Sequence, residues 1–139
     1  MNPSLNLLRE HAPLAPLPGL PAIVAHQASD VFALWQAWEA ECGQVCDVPY
    51  WAIPWPAALV LSAYLWANPS LVNGKSVLDC GCGGGVAAIT ALVSGARQAT
   101  GYDLDQEAIF VARENAAANG LTVNFACQDV TRSEPQGFD

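Results

Sequence analysis

The chain has 139 residues, a hydrophobic fraction of 53% and a formal net charge of −8, which fit one domain with a packed core and exclude a disordered chain. Its five basic residues, Arg9, Lys75, Arg97, Arg113 and Arg132, are scattered, so no basic stripe exists to neutralise phosphates and nucleic acid is not expected as a partner. The stretch AALVLSAYLWA, Ala57 to Ala67, is far short of the roughly 20 apolar residues that span a bilayer, so it reads as a buried helix and no membrane partner is expected.

Residues 1–22 carry Pro3, Pro13, Pro16, Pro18 and Pro21, and the expectation is an extended, irregular arm. Ala22 to His26 reads as a short strand. From Ser29 the pattern turns helical: Val31, Leu34, Trp35 and Trp38 fall on one face, and Ser29 or Asp30 is placed to cap the start. This helix is expected to reach about Glu41, with Trp35 and Trp38 in the core. Pro56 suits the first turn of the next helix, which should run to Asn68 and stop before Pro69.

The period then changes. SVLDC reads as a buried parallel strand, GVAAITALVSGA as an apolar helix ended by Gly95, and QATGYDLD as a second strand. QEAIFVARENAAANG is an amphipathic helix with Ala108, Val111, Ala112 and Asn115 on one face and Asn119-Gly120 as its stop. TVNFACQDV is a third strand. The order β-α-β-α-β implies an α/β fold with parallel strands and crossover helices. Such sheets usually have five or more strands, so the expectation is a Rossmann-like sheet truncated after the third strand.

Glycines cluster in DCGCGGG, Asp79 to Gly85, between the first of these strands and its helix, where backbone N–H groups approach a ligand closely. A phosphate loop is rejected: NGKS, Asn73 to Ser76, has the tail of that motif, but Pro69 stands where its first glycine belongs, and it precedes the strand. A dinucleotide fingerprint is disfavoured, because counting from Gly81 places its third glycine at Val86. What remains is acidic-x-Gly-x-Gly-x-Gly, formed by Asp79, Gly81, Gly83 and Gly85. Asp103 ends the second strand and Asp129 follows the third, so three acids stand at the carboxyl ends of successive strands, where open α/β sheets bind ligands. Each has a plainer reading: Asp79 as a turn residue, Asp103 or Asp105 as a helix cap, Asp129 as a solvated loop residue. Asp105 is assigned to the cap and Asp103 to the ligand. Cys80 is expected in the core and Cys82 along the loop. His11 and His26 are distant in sequence from these thiols, so no metal site is expected. The five cysteines, with no secretion signal visible, are expected to be reduced in a cytoplasmic protein.

These residues resemble the first motif of class I S-adenosylmethionine-dependent methyltransferases. The segment PYWAIPWPAALVLSAYLWANPSLVNGKSVLDCGCGGG, with LWQAWEAE upstream and ENAAANG downstream, resembles the electron-transfer-flavoprotein β-subunit lysine methyltransferases and their nicotinamide-N-methylase-like relatives. The resemblance implies S-adenosyl-L-methionine as cofactor. It assigns Asp79 to the cofactor's amino group, Gly81, Cys82, Gly83 and Gly85 to the loop beneath its methionine part, Asp103 to the ribose and Asp129 to the adenine, with Leu104 also in the cofactor site. Trp55 borders the cofactor, the plainer alternative being a Trp-Pro packing corner. The division implied is an N-terminal arm and helix over residues 1–45 and a cofactor-binding half over 46–139, without the acceptor-binding half. The activity implied is methyl transfer to a protein lysine. A small-amine acceptor, a cofactor-binding module without transfer, and an NAD-dependent oxidoreductase stay open as alternatives. Catalytic groups for the acceptor are not assignable, and dimerisation through an open sheet edge is an expectation.

Overall fold

The computed structural model describes residues 1–132 and 137–139. The proline-rich arm is regular rather than irregular. Ser4 caps a helix α1, Leu5–His11, its side chain accepting the Leu7 N–H. Strands β1 (Leu14–Leu17) and β2 (Leu20–His26) then form an antiparallel hairpin, with Leu14 opposite His26 and a shift of register at Pro16/Leu17. Proline is tolerated because, among the described residues, β1 pairs on one side only.

Helix α2 spans Val31–Cys42, with Asp30 accepting the N–H groups of Phe32 and Ala33 and Gly43 in the left-handed conformation ending it. A single tight turn, Tyr50–Ala52, leads to α3, Pro56–Ala67. Pro56 stands in its first turn, as expected. Strands β3 (Ser76–Cys80), β4 (Gln98–Asp103) and β5 (Asn124–Cys127) form a parallel sheet in the order β3-β4-β5. Helices α4 (Val86–Val93) and α5 (Gln106–Ala118) connect them. In register, Asp79 pairs with Gly101 and Asp103 with Cys127.

Two apolar clusters hold the layers together. One joins Leu17, Leu20 and Ile23 of the hairpin to Val86, Ile89, Ile109 and Phe125. The other joins Leu7 and Leu8 to Leu34, Trp38, Trp51, Ala108 and Val111, with the Trp38 and Trp51 rings edge to face at 5.7 Å. Helix α4 is apolar and largely buried, and its Thr90 hydroxyl is satisfied by the Val86 carbonyl at 2.8 Å. Helix α3, expected to be buried, instead leaves Val60, Leu61, Tyr64 and Trp66 exposed, because it packs on α4 along one side and its other side faces out. No described helix is long and apolar enough to cross a membrane.

Among the described residues the hairpin has no third strand beside β2. Two asparagines of α5 supply partners instead. Asn119 accepts the Val24 N–H at 3.0 Å and donates to the Val24 carbonyl at 2.7 Å. Asn115 accepts the His26 N–H at 2.8 Å. At the outer edge of β3, Asp139 takes both backbone groups of Ser76: its N–H donates to the Ser76 carbonyl at 2.9 Å, and its carboxylate accepts the Ser76 N–H at 2.7 Å.

Candidate cofactor site

A cavity of about 340 Å³ opens at the carboxyl end of β3. One wall is the glycine loop, with Asp79, Cys80, Gly81, Cys82, Gly83 and Gly84. The opposite wall is apolar and aromatic, with Trp51, Ile53, Pro54, Trp55 and Leu61.

The loop glycines divide by task. Gly81 and Gly83 have φ of +72° and +51°, and a Cβ on either would meet no atom within 4 Å. Their need is conformational, and the space above them is free for a ligand. Gly85 and Gly101 are close-packed: a Cβ on either would come within 2.5 Å of the Phe125 ring. Gly84 passes under the Trp51 carbonyl, which a Cβ would meet at 2.9 Å. Its own carbonyl accepts the Asn115 side-chain N–H at 2.8 Å.

Two carboxylates, Asp79 and Asp103, meet this loop from different strand ends, and the third acid, Asp129, stands after β5. Asp79 lines the cavity and accepts the Ala88 N–H at 3.2 Å. Burial first, and the neighbouring Asp103 charge second, push its carboxyl above the ordinary carboxylate range. Asp103 accepts the Gly83 N–H at 2.8 Å and the Asp105 N–H at 3.0 Å. A carboxylate has about four acceptor sites, so capacity remains for two ligand hydroxyls. Asp129 accepts the Thr131 N–H and hydroxyl, which hold its carboxyl below the ordinary range.

The cavity therefore gathers Trp55, Asp79, Gly81, Cys82 and Gly83. Gly85 belongs instead to the packing under the loop. Asp103, Leu104 and Asp129 stand outside the cavity lining; Asp103 is joined to it through Gly83, and Leu104 is exposed. Of the two loop thiols, Cys80 departs from the core place expected of it, while Cys82 lines the cavity and is also buried in the core. Cys80 is exposed along the cavity, while Cys82 is buried, because its side chain turns in towards Gly101, whose Cβ position it approaches at 3.0 Å. Burial, then the charges of Asp79 and Asp103, push the Cys82 thiol far up, so it stays protonated at neutral pH. No group of three or more metal-ligating side chains occurs among the described residues.

The model of the family described as ribosomal protein L11 methyltransferase (PrmA) matches residues 62–138. The chain belongs to that family. The matched region starts within α3 and takes in the whole glycine loop and both crossover helices of the PrmA-type fold. The chain is 49% identical over 73 residues to the mouse electron transfer flavoprotein β subunit lysine methyltransferase, covering 52% of this chain and 29% of that protein. It is 45% identical over 75 residues to the ribosomal protein L11 methyltransferase of Neisseria gonorrhoeae, covering 53% and 24%. A solved structure of Trypanosoma brucei PRMT1, an enzyme–prozyme heterotetramer with AdoHcy, superposes with a TM-score of 0.52 at 28% identity, covering 57% of this chain and 25% of that one. The chain thus has the α/β fold of class I S-adenosylmethionine-dependent methyltransferases, and it spans under a third of the length of these relatives.

Sequence reasoning missed Trp51 and Asn115 as parts of this PrmA-family site. Trp51 was visible only as an aromatic in a proline-rich stretch. Asn115 carried a signal: a polar residue on the apolar face of α5, which a buried position tolerates only with its hydrogen bonds made.

Proposed function

We propose that this chain binds S-adenosylmethionine and forms the cofactor-holding part of a protein methyltransferase whose acceptor is a lysine amine. The observation that carries the reading is the glycine loop, where Gly81 and Gly83 leave open space above left-handed backbone while Asp79 lines that space and Asp103 grips the loop from the next strand. A side chain at either glycine would fill the cradle, which fits a ligand lying against bare backbone.

When bound, the cofactor supplies an activated methyl group on a cationic sulfonium. The chain's own residues supply the rest. Asp79 can accept from the amino group of the methionine part, and Asp103 from the ribose hydroxyls. Trp51 and Trp55 give the facing wall an aromatic surface, which attracts cations. The acceptor amine must be neutral to attack, and its ordinary pKa is near 10; the apolar wall around Ile53, Pro54 and Leu61 favours the neutral form by excluding water. The net charge of −8 complements a basic, lysine-bearing protein surface. The lysine acceptor rests on the likeness to the flavoprotein β-subunit lysine methyltransferases. The family description and the gonococcal relative also name a protein, ribosomal protein L11, which supports a protein acceptor over a small amine.

The test pairs binding with transfer. Calorimetry should show binding of S-adenosylhomocysteine and none of NAD. Incubation with tritiated S-adenosylmethionine and basic proteins should leave label that appears as methyl-lysine after hydrolysis. Label confined to small amines such as nicotinamide would overturn the protein acceptor. Binding without any transfer would reduce the chain to a cofactor-binding module, and no binding at all would overturn the proposal.

A further inference from the structure

Away from the cavity, Cys42 and Cys46 form a second reactive cluster. Cys42 is the last residue of α2, and Gly43 follows with φ 67°, turning the chain back at the helix end. Trp35, Glu39 and Cys42 are spaced four and three residues apart, so they share one stripe of the helix. Cys46 is bonded to the first two members of that stripe. The Trp35 indole N–H donates to the Cys46 carbonyl at 2.9 Å, and the Cys46 N–H donates to Glu39 Oε1 at 3.1 Å. Those two bonds lay Cys46 along the stripe that Cys42 ends.

Both cysteines pack against the cluster of Leu7, Leu8, Trp38 and Trp51, and neither is fully buried. The Cys46 thiol donates to the Gln44 carbonyl at 3.6 Å, and the Cys42 thiol is near enough to act on it. The Met1 ammonium, held by Glu107 at 2.8 Å, is near enough to act electrostatically on both. Burial and the Cys42 thiol push the Cys46 thiol up to about 11, so Cys46 stays protonated at neutral pH.

We infer that Cys42 and Cys46 are a dithiol site that closes reversibly to an intramolecular disulfide on reaction with a hydroperoxide. The Cys42 sulfur attacks the peroxide O–O bond, giving a sulfenic acid and releasing water or an alcohol. The Cys46 sulfur then attacks the sulfenic sulfur. The S–S bond forms, the S–O bond breaks, and the hydroxyl leaves as water with the Cys46 proton. Two thiols together lose two electrons and two protons, and the peroxide takes them up. The bond ties the end of α2 to the connection that carries Pro49 and Trp51 towards the cofactor cavity.

The test oxidises the whole chain with hydrogen peroxide, alkylates the remaining thiols and maps the products by tandem mass spectrometry. The expected product has lost two hydrogens, resists alkylation at Cys42 and Cys46 alone, and reverts with dithiothreitol. Cys46→Ser should instead accumulate a Cys42 sulfenic acid that dimedone traps, and Cys42→Ser should form no intramolecular bond. A variant with serine at Cys80, Cys82 and Cys127 should still close; mapping of the parent gives the same answer whether or not that variant folds. Free alkylation of both thiols after peroxide treatment, or a disulfide that pairs either with Cys80 or Cys127, would overturn the inference.

Discussion

The carboxylate of Asp103 accepts the backbone N–H of Gly83 at 2.8 Å. One side chain at the end of β4 thus fixes the loop that follows β3, and the same group is proposed to hold the ribose. Loop geometry and ligand contact are coupled through that carboxylate.

Replacing Asp103 with Asn should therefore weaken S-adenosylhomocysteine binding by roughly 10- to 100-fold, since hydrogen bonds to a charged group contribute about 1.5–3 kcal/mol. Calorimetry on the variant checks this. An unchanged dissociation constant would remove Asp103 from the site.

Two glycine replacements should separate packing from binding. Gly85→Ala places a Cβ 2.5 Å from the Phe125 ring at a φ of +77°, and should cost about 2–4 kcal/mol in urea denaturation through overpacking and backbone strain. Gly83→Ala meets no neighbour, so it should cost only about 1 kcal/mol of stability while the new methyl group obstructs the cradle and lowers S-adenosylhomocysteine affinity. Equal stability losses with equal affinities would contradict the division.

Asn115 is buried and serves two backbone groups at once, the His26 N–H and the Gly84 carbonyl. Asn115→Ala leaves both without this partner, at about 1–3 kcal/mol each. The expected loss is about 2–5 kcal/mol in chemical denaturation, larger than for Ala→Gly changes at exposed positions of the same helix. A loss under about 1 kcal/mol would show that the bridge does not matter.

Asp105 caps α5 through the N–H groups of Glu107 and Ala108. Burial first, and its hydrogen bond to the Glu107 side chain second, push its carboxyl from 3.8 up to about 6. A folded-state pKa above the unfolded one means that the native state binds the extra proton between these values. The group's contribution is thus full below about 3.8 and lost as pH rises through about 6. Glu107 works in the opposite sense, since its carboxyl is lowered and its contribution is lost on acidification. Asp105→Asn keeps a good cap and removes the first of these dependences. Its melting temperature should therefore gain on the parent's between pH 4 and pH 7, by differential scanning fluorimetry. A constant difference across that range would refute the shift.

What the sequence made legible was local. The glycine spacing, the cap at Asp105 and the proline in the first turn of α3 depend on neighbours within a few residues, and the structure has them as read; of the two caps open for α2, Ser29 and Asp30, it takes Asp30. The arm was not legible, because proline density argues against strands unless one edge is unpaired, and only the topology reveals that β1 has such an edge. The burial of Cys82 was not legible because the chain leaves the strand period at Gly81, after which alternation no longer fixes a face, and Cys80, the last residue of β3, comes out exposed at the strand's open end. The aromatic wall was hidden for a different reason: Trp51 and Asn115 reach the loop from segments about 30 residues away on either side, and no spacing rule spans that distance.

Asp139 bracketing Ser76 has a meaning for pairing. Its N–H and its carboxylate both engage the first residue of β3, so the segment that carries Asp139 is clasped beside the start of that strand. A slip by one residue would present groups that point to the opposite edge. Asp139→Ala should open the clasp, and the Ser76 amide should then exchange with deuterium faster than in the parent.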